Sequence, residues 1–358
     1  MKSDLAERLL KEVMDWSTAE FIERVRDLQV LAAVKYDEYG NYRPGSKFVE
    51  NLAGWLNQFP KERRRTALDF VLKNLVFVSE VEMNHLISLV YPEVIEPALR
   101  ARIAKADGIS EHRIAEIRRQ PSFASLRRRS LIIGASDGAR LDRLRRSSTV
   151  LSHEQFFPGT SPTPALLKPM TEKIIGALGS DAQPSFAHVF LVDDFAGSGR
   201  TLLRRDKEEV LVGKLGRLRE LLEQSVEAGF LDDVQHVTVI LYCASQQSID
   251  HLERLLPEAG LDGWDIGYIQ LLPEFVRVDR QSPEMTQLCH DFFDPDSEDA
   301  HKGATPIGYS DCALPLVLSH NTPNNSICLL WMDTSEGVDG QGLAALFPRY
   351  ERHHPDRP

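Results

Sequence analysis

Two adjacent carboxylates, Asp193 and Asp194, follow the apolar run Val189, Phe190, Leu191 and Val192. They precede the small-residue run Ala196, Gly197, Ser198, Gly199, Arg200 and Thr201. Four consecutive apolar residues read as a buried strand, which places the acids at its C-terminal edge. Carboxylates there can accept hydrogen bonds from sugar hydroxyls or hold a hydrated Mg2+. Glycines let backbone N–H groups approach a phosphate, and Thr201, Leu202 and Leu203 are expected to open a helix whose N-terminus adds to that attraction. The ligand these groups suit carries both a sugar diol and a phosphate. A nucleoside-triphosphatase loop does not fit, because it requires glycine where Asp194 stands and lysine where Arg200 stands.

A second constellation lies upstream. The apolar residues Leu131, Ile132 and Ile133 run into Gly134, Ala135, Ser136, Asp137, Gly138, Ala139 and Arg140. The spacing Gly134-x-Ser136-x-Gly138 is also that of a hydrolase nucleophile elbow, with Ser136 as nucleophile. That fold places several strands before its elbow, whereas the residues upstream here have helical spacing. A third feature is charge: residues 113–146 hold ten arginines against Glu116, Asp137 and Asp142, a local balance of +7. Such a segment can focus an anionic substrate or bind nucleic-acid phosphates, and its bland alternative is a solvated helix face.

These residues need a scaffold, and the hydrophobic spacing supplies one. Leu5, Leu9, Leu10, Val13 and Met14 recur at helical intervals, as do Phe21, Val25, Leu28, Leu31 and Ala32. Residues 48–59, 64–76 and 81–91 continue the pattern, punctuated by Pro60, Pro92 and Pro97. The pattern changes near Ser130. Strands are expected at 131–133, 189–192, 237–242 and 264–272, alternating with helices at 141–146, 165–178, 208–228 and 249–256. Ser245 is placed to cap the helix that begins near 249. This alternation argues for an α/β fold, a parallel sheet with flanking helices, preceded by an all-α N-terminal region. The expected division is a helical domain over 1–125, suited to docking a protein partner, and an α/β domain over 126–358. Further strands are expected at 313–318 and 326–331, and a polar tail at 349–358.

The 358 residues are 42% hydrophobic and 27% charged, with a formal charge of −11. That composition is ordinary for a globular protein and gives no global attraction to nucleic acid or anionic membrane. No apolar run approaches the ~20 residues that span a bilayer. The N-terminal residues lack the apolar centre of a signal peptide. Cys243, Cys289, Cys312 and Cys328 form no C-x-x-C pair, which fits a reducing compartment. A cytoplasmic location and no membrane partner are therefore expected.

Residues 189–201 resemble the phosphoribosyl diphosphate (PRPP) motif of type I phosphoribosyltransferases: four apolar residues, two acids and a small-residue loop. The departure is Arg200, where the usual motif has a second glycine. The resemblance implies that Asp193 and Asp194 hold the ribose 2′- and 3′-hydroxyls, with Mg2+, and act as the catalytic acids. It implies that Ala196, Gly197, Ser198, Gly199, Arg200 and Thr201 cradle the 5′-phosphate. In that family the loop after an early strand holds the diphosphate, here Ser136, Asp137, Gly138, Ala139 and Arg140, with Asp137 helping to position Mg2+. Residues of the later loops, Tyr309 or Asn324, would then meet the acceptor. The helical N-terminus and Pro323-Asn324-Asn325 resemble the phosphoribosyltransferase-like proteins of bacterial conflict and antiphage systems. The implied function is binding of PRPP or a nucleotide and chemistry at an N-glycosidic bond. The alternatives are a non-catalytic nucleotide-sensing or RNA-binding module of the same fold, or a serine hydrolase using Ser136.

Overall fold

The computed structural model describes residues 3–157, 159–333 and 343–349. Its strands are β1 (Val76–Val78), β2 (Ser130–Gly134), β3 (His188–Ala196), β4 (Arg204–Arg205), β5 (Leu211–Val212), β6 (Val237–Ser245), β7 (Trp264–Leu272) and β8 (Leu316–Leu318). Contacts divide the chain into two compact units, one built from residues up to Glu82 and from Pro273 onward, the other spanning Met83–Leu272.

The second unit carries a four-stranded sheet in the order β2-β3-β6-β7, every neighbour parallel. Leu131, Ile133, Val189, Leu191, Val239 and Leu241 point to one face. There they pack with Leu167 and Ile174 of the helix Pro164–Leu178, Leu215 and Leu222 of Lys214–Glu227, and Leu252 and Leu256 of Gln246–Glu258. The residues between them, Ile132, Phe190, Val192, Ile240 and Tyr242, are likewise fully buried. Burial on both faces is why these strands read as continuous apolar runs and not as alternations. Ser245 caps the last of these helices by accepting from the Ser248 N–H.

Register sets the geometry that matters most. Gly134 ends β2 opposite Val192, while β3 continues to Ala196. The chain leaving β2 therefore turns across the next residues of β3, which are Asp193 and Asp194. The Ala135 N–H donates to the Val192 carbonyl at 2.8 Å and fixes that turn.

The first unit has its own core, in which Leu10, Leu28, Phe48, Leu52, Trp55, Leu56, Phe59 and Phe70 pack with Leu288, Val317, Leu330 and Phe347. β1 pairs in parallel with β8, Val76 opposite Leu316, so the C-terminal part of the chain completes the fold of the N-terminal helices. This is why the compact units divide at Glu82 and Leu272 and not near residue 125. Burial between residues 300 positions apart leaves no periodic trace in the sequence.

Local expectations are corrected in four further places. Thr201 opens no helix: it lies in a turn, and the β4–β5 hairpin follows before the helix begins at Lys214. Cys328–Trp331 is a short helix and not a strand; its four residues are all buried, and burial on every side erases the period that separates the two. The helix expected over 64–76 ends at Lys73, and Val76 instead begins the strand Val76–Val78. Pro92 and Pro97 do not interrupt the helical run from Glu80 to Asp107, because Pro92 lies in a π turn at Tyr91–Ile95 and Pro97 in the first turn of Glu96–Asp107. Of the polar tail, residues 350–358 lie outside the described residues.

His188, at the start of β3, stacks on Phe190 with 4.3 Å between centroids, and its Nε2 lies 2.9 Å from Thr238 Oγ1. Burial, reinforced by Arg102 and His236, pushes its pKa down to about 3. The unfolded chain therefore takes up a proton between pH 6.5 and 3 that the folded chain refuses. Stability falls as pH drops through this window, by on the order of 2 kcal/mol between pH 7 and pH 5 from this residue alone. Urea denaturation of the wild type and of His188→Gln at both pH values checks this. Equal pH slopes for the two proteins would reject it.

Candidate functional site

The acid pair is split by strand alternation. Because β3 runs on to Ala196, Asp193 and Asp194 are still strand residues and turn to opposite faces. Asp193 shares the face of Val189 and Leu191, and is 5% exposed. Its Oδ2 pairs with Lys214 Nζ at 3.0 Å, and its Oδ1 accepts from the Ser136 hydroxyl at 2.5 Å. Burial, and secondly the charge of Asp194, push the Asp193 carboxyl above the usual carboxylate range, against the pull of Lys214 and Ser136. Asp194 is half-buried. A Cβ placed on Gly138 would lie 2.5 Å from its Oδ2 and 3.0 Å from its Oδ1, so only glycine lets the upstream loop lie against this carboxylate.

The two loops predicted from sequence thus meet at the acids. Ser136 touches Asp193 and Gly138 touches Asp194. The loop between them is a single 3-10 turn, Asp137–Ala139, followed by Arg140 in the left-handed region at φ 45°. The Tyr242 hydroxyl donates to the Ala139 carbonyl at 2.5 Å and ties the loop to β6. Burial, then the charges of Asp194 and Asp193, raise the Tyr242 pKa and keep that proton in place. The N–H groups of Ser136, Asp137 and Gly138 have no backbone acceptor among the described residues.

Downstream, the glycine loop is packed from below. Ser245 Oγ donates to the Gly197 carbonyl. Gly199 has φ +72°, and a Cβ there would meet His251 Cδ2 at 3.0 Å and the Ser248 carbonyl at 3.1 Å. The Leu202 and Leu203 amides both return to the Gly199 carbonyl at 3.0 Å. The amides of Ser198, Gly199 and Thr201 have no backbone acceptor among the described residues, so their donors can meet an anion. Ser198 is buried; Arg200 and Thr201 are exposed. The dipole of a helix opening at Thr201 is absent. The start of Lys214–Glu227 instead grips this loop, with the Lys214 N–H on the Thr201 carbonyl at 3.2 Å and the Leu215 N–H on the Leu202 carbonyl at 3.0 Å.

A cavity of about 290 Å³ adjoins the upstream loop, lined in part by Ser136, Asp137, Arg140, Arg145 and Phe157. Residues 196–201 do not line it. Lys214 is the site residue that sequence reasoning missed: it is 21 positions from Asp193, and only the hairpin between them brings it back. The basic segment is partly spent internally. Arg113 pairs with Glu116, Arg118 with Glu96, Arg128 with Glu154 and Arg129 with Asp232. The Ser136 hydroxyl donates to an aspartate and not to a histidine, so the geometry of an activated serine nucleophile is not formed. Tyr309 and Asn324 belong to the other compact unit, where the Tyr309 N–H donates to the Asn324 carbonyl at 2.8 Å.

No helix among the described residues is long and apolar enough to cross a membrane. Residues 52–349 match PRTase-CE, a phosphoribosyltransferase-like family. No curated protein and no solved structure matches the chain.

Proposed function

Because the chain belongs to the PRTase-CE family, we propose that the acid pair and its two loops bind PRPP or a nucleotide and support chemistry at the ribose C1 bond. The observation that carries this reading is the convergence of both loops on the acids: Ser136 bonded to Asp193, and Gly138 against Asp194. A ribose with phosphates on C1 and C5 needs a diol acceptor between two sets of anion donors. In this reading Asp194 accepts the ribose hydroxyls, and Asp193 fixes Ser136 and Lys214 from beneath. The amides of Ser198, Gly199 and Thr201 take the 5′-phosphate, and those of Ser136, Asp137 and Gly138, with Arg140, take the diphosphate.

Phosphoribosyl transfer breaks the C1–O bond, the diphosphate leaves with the electron pair, and a nitrogen of the acceptor forms the new bond to C1. The charge that grows at C1 lies beside the Asp194 carboxylate, and the loop donors face the leaving oxygens. Mg2+, when bound, would offset charge on the diphosphate. Half-buried Asp194 and exposed Asp137 are the carboxylates that would hold the ion, while Asp193 binds Lys214 and Ser136. Two carboxylates suit a Mg2+ that keeps several waters and shares phosphate oxygens. The resemblance to conflict-system proteins supports a role as an antiphage effector.

A second reading, a nucleotide-sensing module, is favoured by the Lys214–Asp193 ion pair, which neutralises one of the two acids. Nucleic-acid binding along residues 113–146 would draw on its exposed arginines, such as Arg119, Arg143 and Arg146. The full chain incubated with PRPP or nucleotides and Mg2+, followed by 31P and 1H NMR for pyrophosphate and free base, separates these outcomes. Turnover that falls tenfold or more in Asp194→Asn is expected. Binding without turnover would transfer the case to the sensing module, and absence of binding to any of these ligands would end both.

A further inference from the structure

A further cavity, about 370 Å³ in volume, lies in the first compact unit among the N-terminal helices. The turn after the helix Ser3–Val13 gives it Trp16, the helix Thr18–Val34 gives it Arg24, and the helix Lys61–Lys73 gives it Lys61, Arg64, Arg65 and Leu68. Residues 61, 64, 65 and 68 fall at helical spacing, so one face of that helix forms the wall. No role described above uses this cavity.

Three features suit it to an anion. The Arg24 Nε is buried and has no hydrogen-bond partner among the described residues. A buried guanidinium N–H without an acceptor costs free energy that an incoming oxygen would recover. Arg64 is held by the backbone carbonyls of Phe59, Val13 and Asn57, which orient its guanidinium without neutralising its charge. The helix Lys61–Lys73 opens at Pro60 with no side-chain cap, and the Lys61 and Glu62 N–H groups have no backbone acceptor among the described residues. Asp15, Glu20 and Glu62 also line the cavity, but all three are exposed, whereas Arg24 and Arg64 are half-buried, so the positive charge is the more inward. Glu20 is already bonded to the N–H and hydroxyl of Ser17, at 2.9 and 2.8 Å.

Trp16 defines the rest of the occupant. Its ring is half-buried, with the Arg24 guanidinium 5.8 Å from the centroid. The indole N–H groups of Trp55, Trp264 and Trp331 each donate to a backbone carbonyl, whereas that of Trp16 has no acceptor among the described residues. An aromatic wall beside a guanidinium favours a ligand that joins a ring to an oxyanion. The volume lies within the range of small-molecule pockets, roughly 300–1,000 Å³. We propose that this cavity binds a small aromatic oxyanion, its phosphate or carboxylate on Arg24 and its ring against Trp16. The site stands whether or not Asp194 holds a ribose.

NMR titration of the 15N-labelled full chain, read at the indole N–H of Trp16, tests the site. Trp16→Phe identifies that signal by its loss. The probes are phenyl phosphate and phenylacetate, with neutral phenol as the reference. One or both anions are expected to move the Trp16 signal saturably and to leave that of Trp264, in the other unit, in place; the tighter of the two identifies the oxyanion as phosphate or carboxylate. Arg24→Gln should weaken the effective probe tenfold or more, Arg24→Lys should recover part of the loss, and Arg26→Gln, an exposed neighbour that does not line the cavity, should match the wild type. A Trp16 signal that neither anion moves overturns the site. Movement by phenol as strong as by the anions, or unchanged affinity in Arg24→Gln, overturns the role given to the oxyanion and to Arg24.

Discussion

Replacing Lys214 with methionine is expected to cost about 3 kcal/mol of stability at pH 8, and most of that loss should return when Asp193→Asn is added. The Lys214 side chain is 25% exposed and the Asp193 side chain 6%, so the variant strands a carboxylate that water hardly reaches. Ser136 still donates to that carboxylate, but one neutral hydrogen bond does not replace an ammonium at 3.0 Å. The deficit should depend on pH in a defined direction. Burial and Asp194 already hold the Asp193 pKa above its unfolded value, and removal of Lys214 raises it further. A carboxyl whose folded pKa lies above the unfolded one binds its proton more tightly in the folded chain. Its stabilising protonation is complete below about pH 3.8 and is lost as pH rises through the folded pKa. Lys214→Met should therefore approach the wild type as the pH falls toward 4, and the double variant should show neither the deficit nor its pH slope. Urea titrations of the four proteins across pH 4–8 measure this. A coupling below about 0.5 kcal/mol at pH 8 would show that the pair is solvated and contributes nothing.

Gly213→Ala should be the most disruptive small substitution in this part of the fold, at about 4 kcal/mol or more. Gly213 has φ +141°, outside the range L-residues occupy, and an added Cβ would lie 2.3 Å from the Leu202 carbonyl oxygen and 2.8 Å from its carbon. Both obstacles are backbone, so no side chain can swing away. Leu202 follows directly on the glycine loop, and the Leu215 N–H binds that same carbonyl. Pushing Leu202 away therefore loosens the start of Lys214–Glu227, moves Lys214 from Asp193 and disturbs the amides of Ser198, Gly199 and Thr201 together. The variant should lose ribose 5-phosphate affinity as well as thermal stability. Gly229→Ala is the control: it also has positive φ, at +77°, but a Cβ there meets nothing within 4 Å, so its cost should be only that of the backbone strain. Equal melting temperatures for Gly213→Ala and Gly229→Ala would contradict the steric argument.

Much of the site could be read directly. Four apolar residues running into Asp193 and Asp194 read as a strand buried on both faces, and the repeated strand–helix alternation argues for a parallel sheet. Parallel strands gather their C-terminal ends on one edge, so the order of the loops along the chain was enough to put residues 136–140 and 196–201 on the same edge. Sequence order could not say where each strand stops. β3 outruns β2 by four residues, from Val192 to Ala196, and that overhang sends Asp193 and Asp194 to opposite faces with different partners. A strand ending at Val192 would have freed both acids for one ligand. The hairpin β4–β5 was hidden because strands of two residues are too short to show a period. Without it Lys214 has no reason to be near Asp193.

The amino-acid sequence by itself determined the sheet, its polarity, the acids and the two glycine-bearing loops, because these depend on local composition, on continuous apolar runs and on the alternation of strands with helices. The tertiary structure alone decided the division of labour between Asp193 and Asp194, the ion pair with Lys214, the seating of Gly138 against Asp194, and the closing of β8 on β1. Each of these depends on register or on contact between distant segments, and the free energy of such contacts is set by three-dimensional burial, which no local pattern of residues encodes.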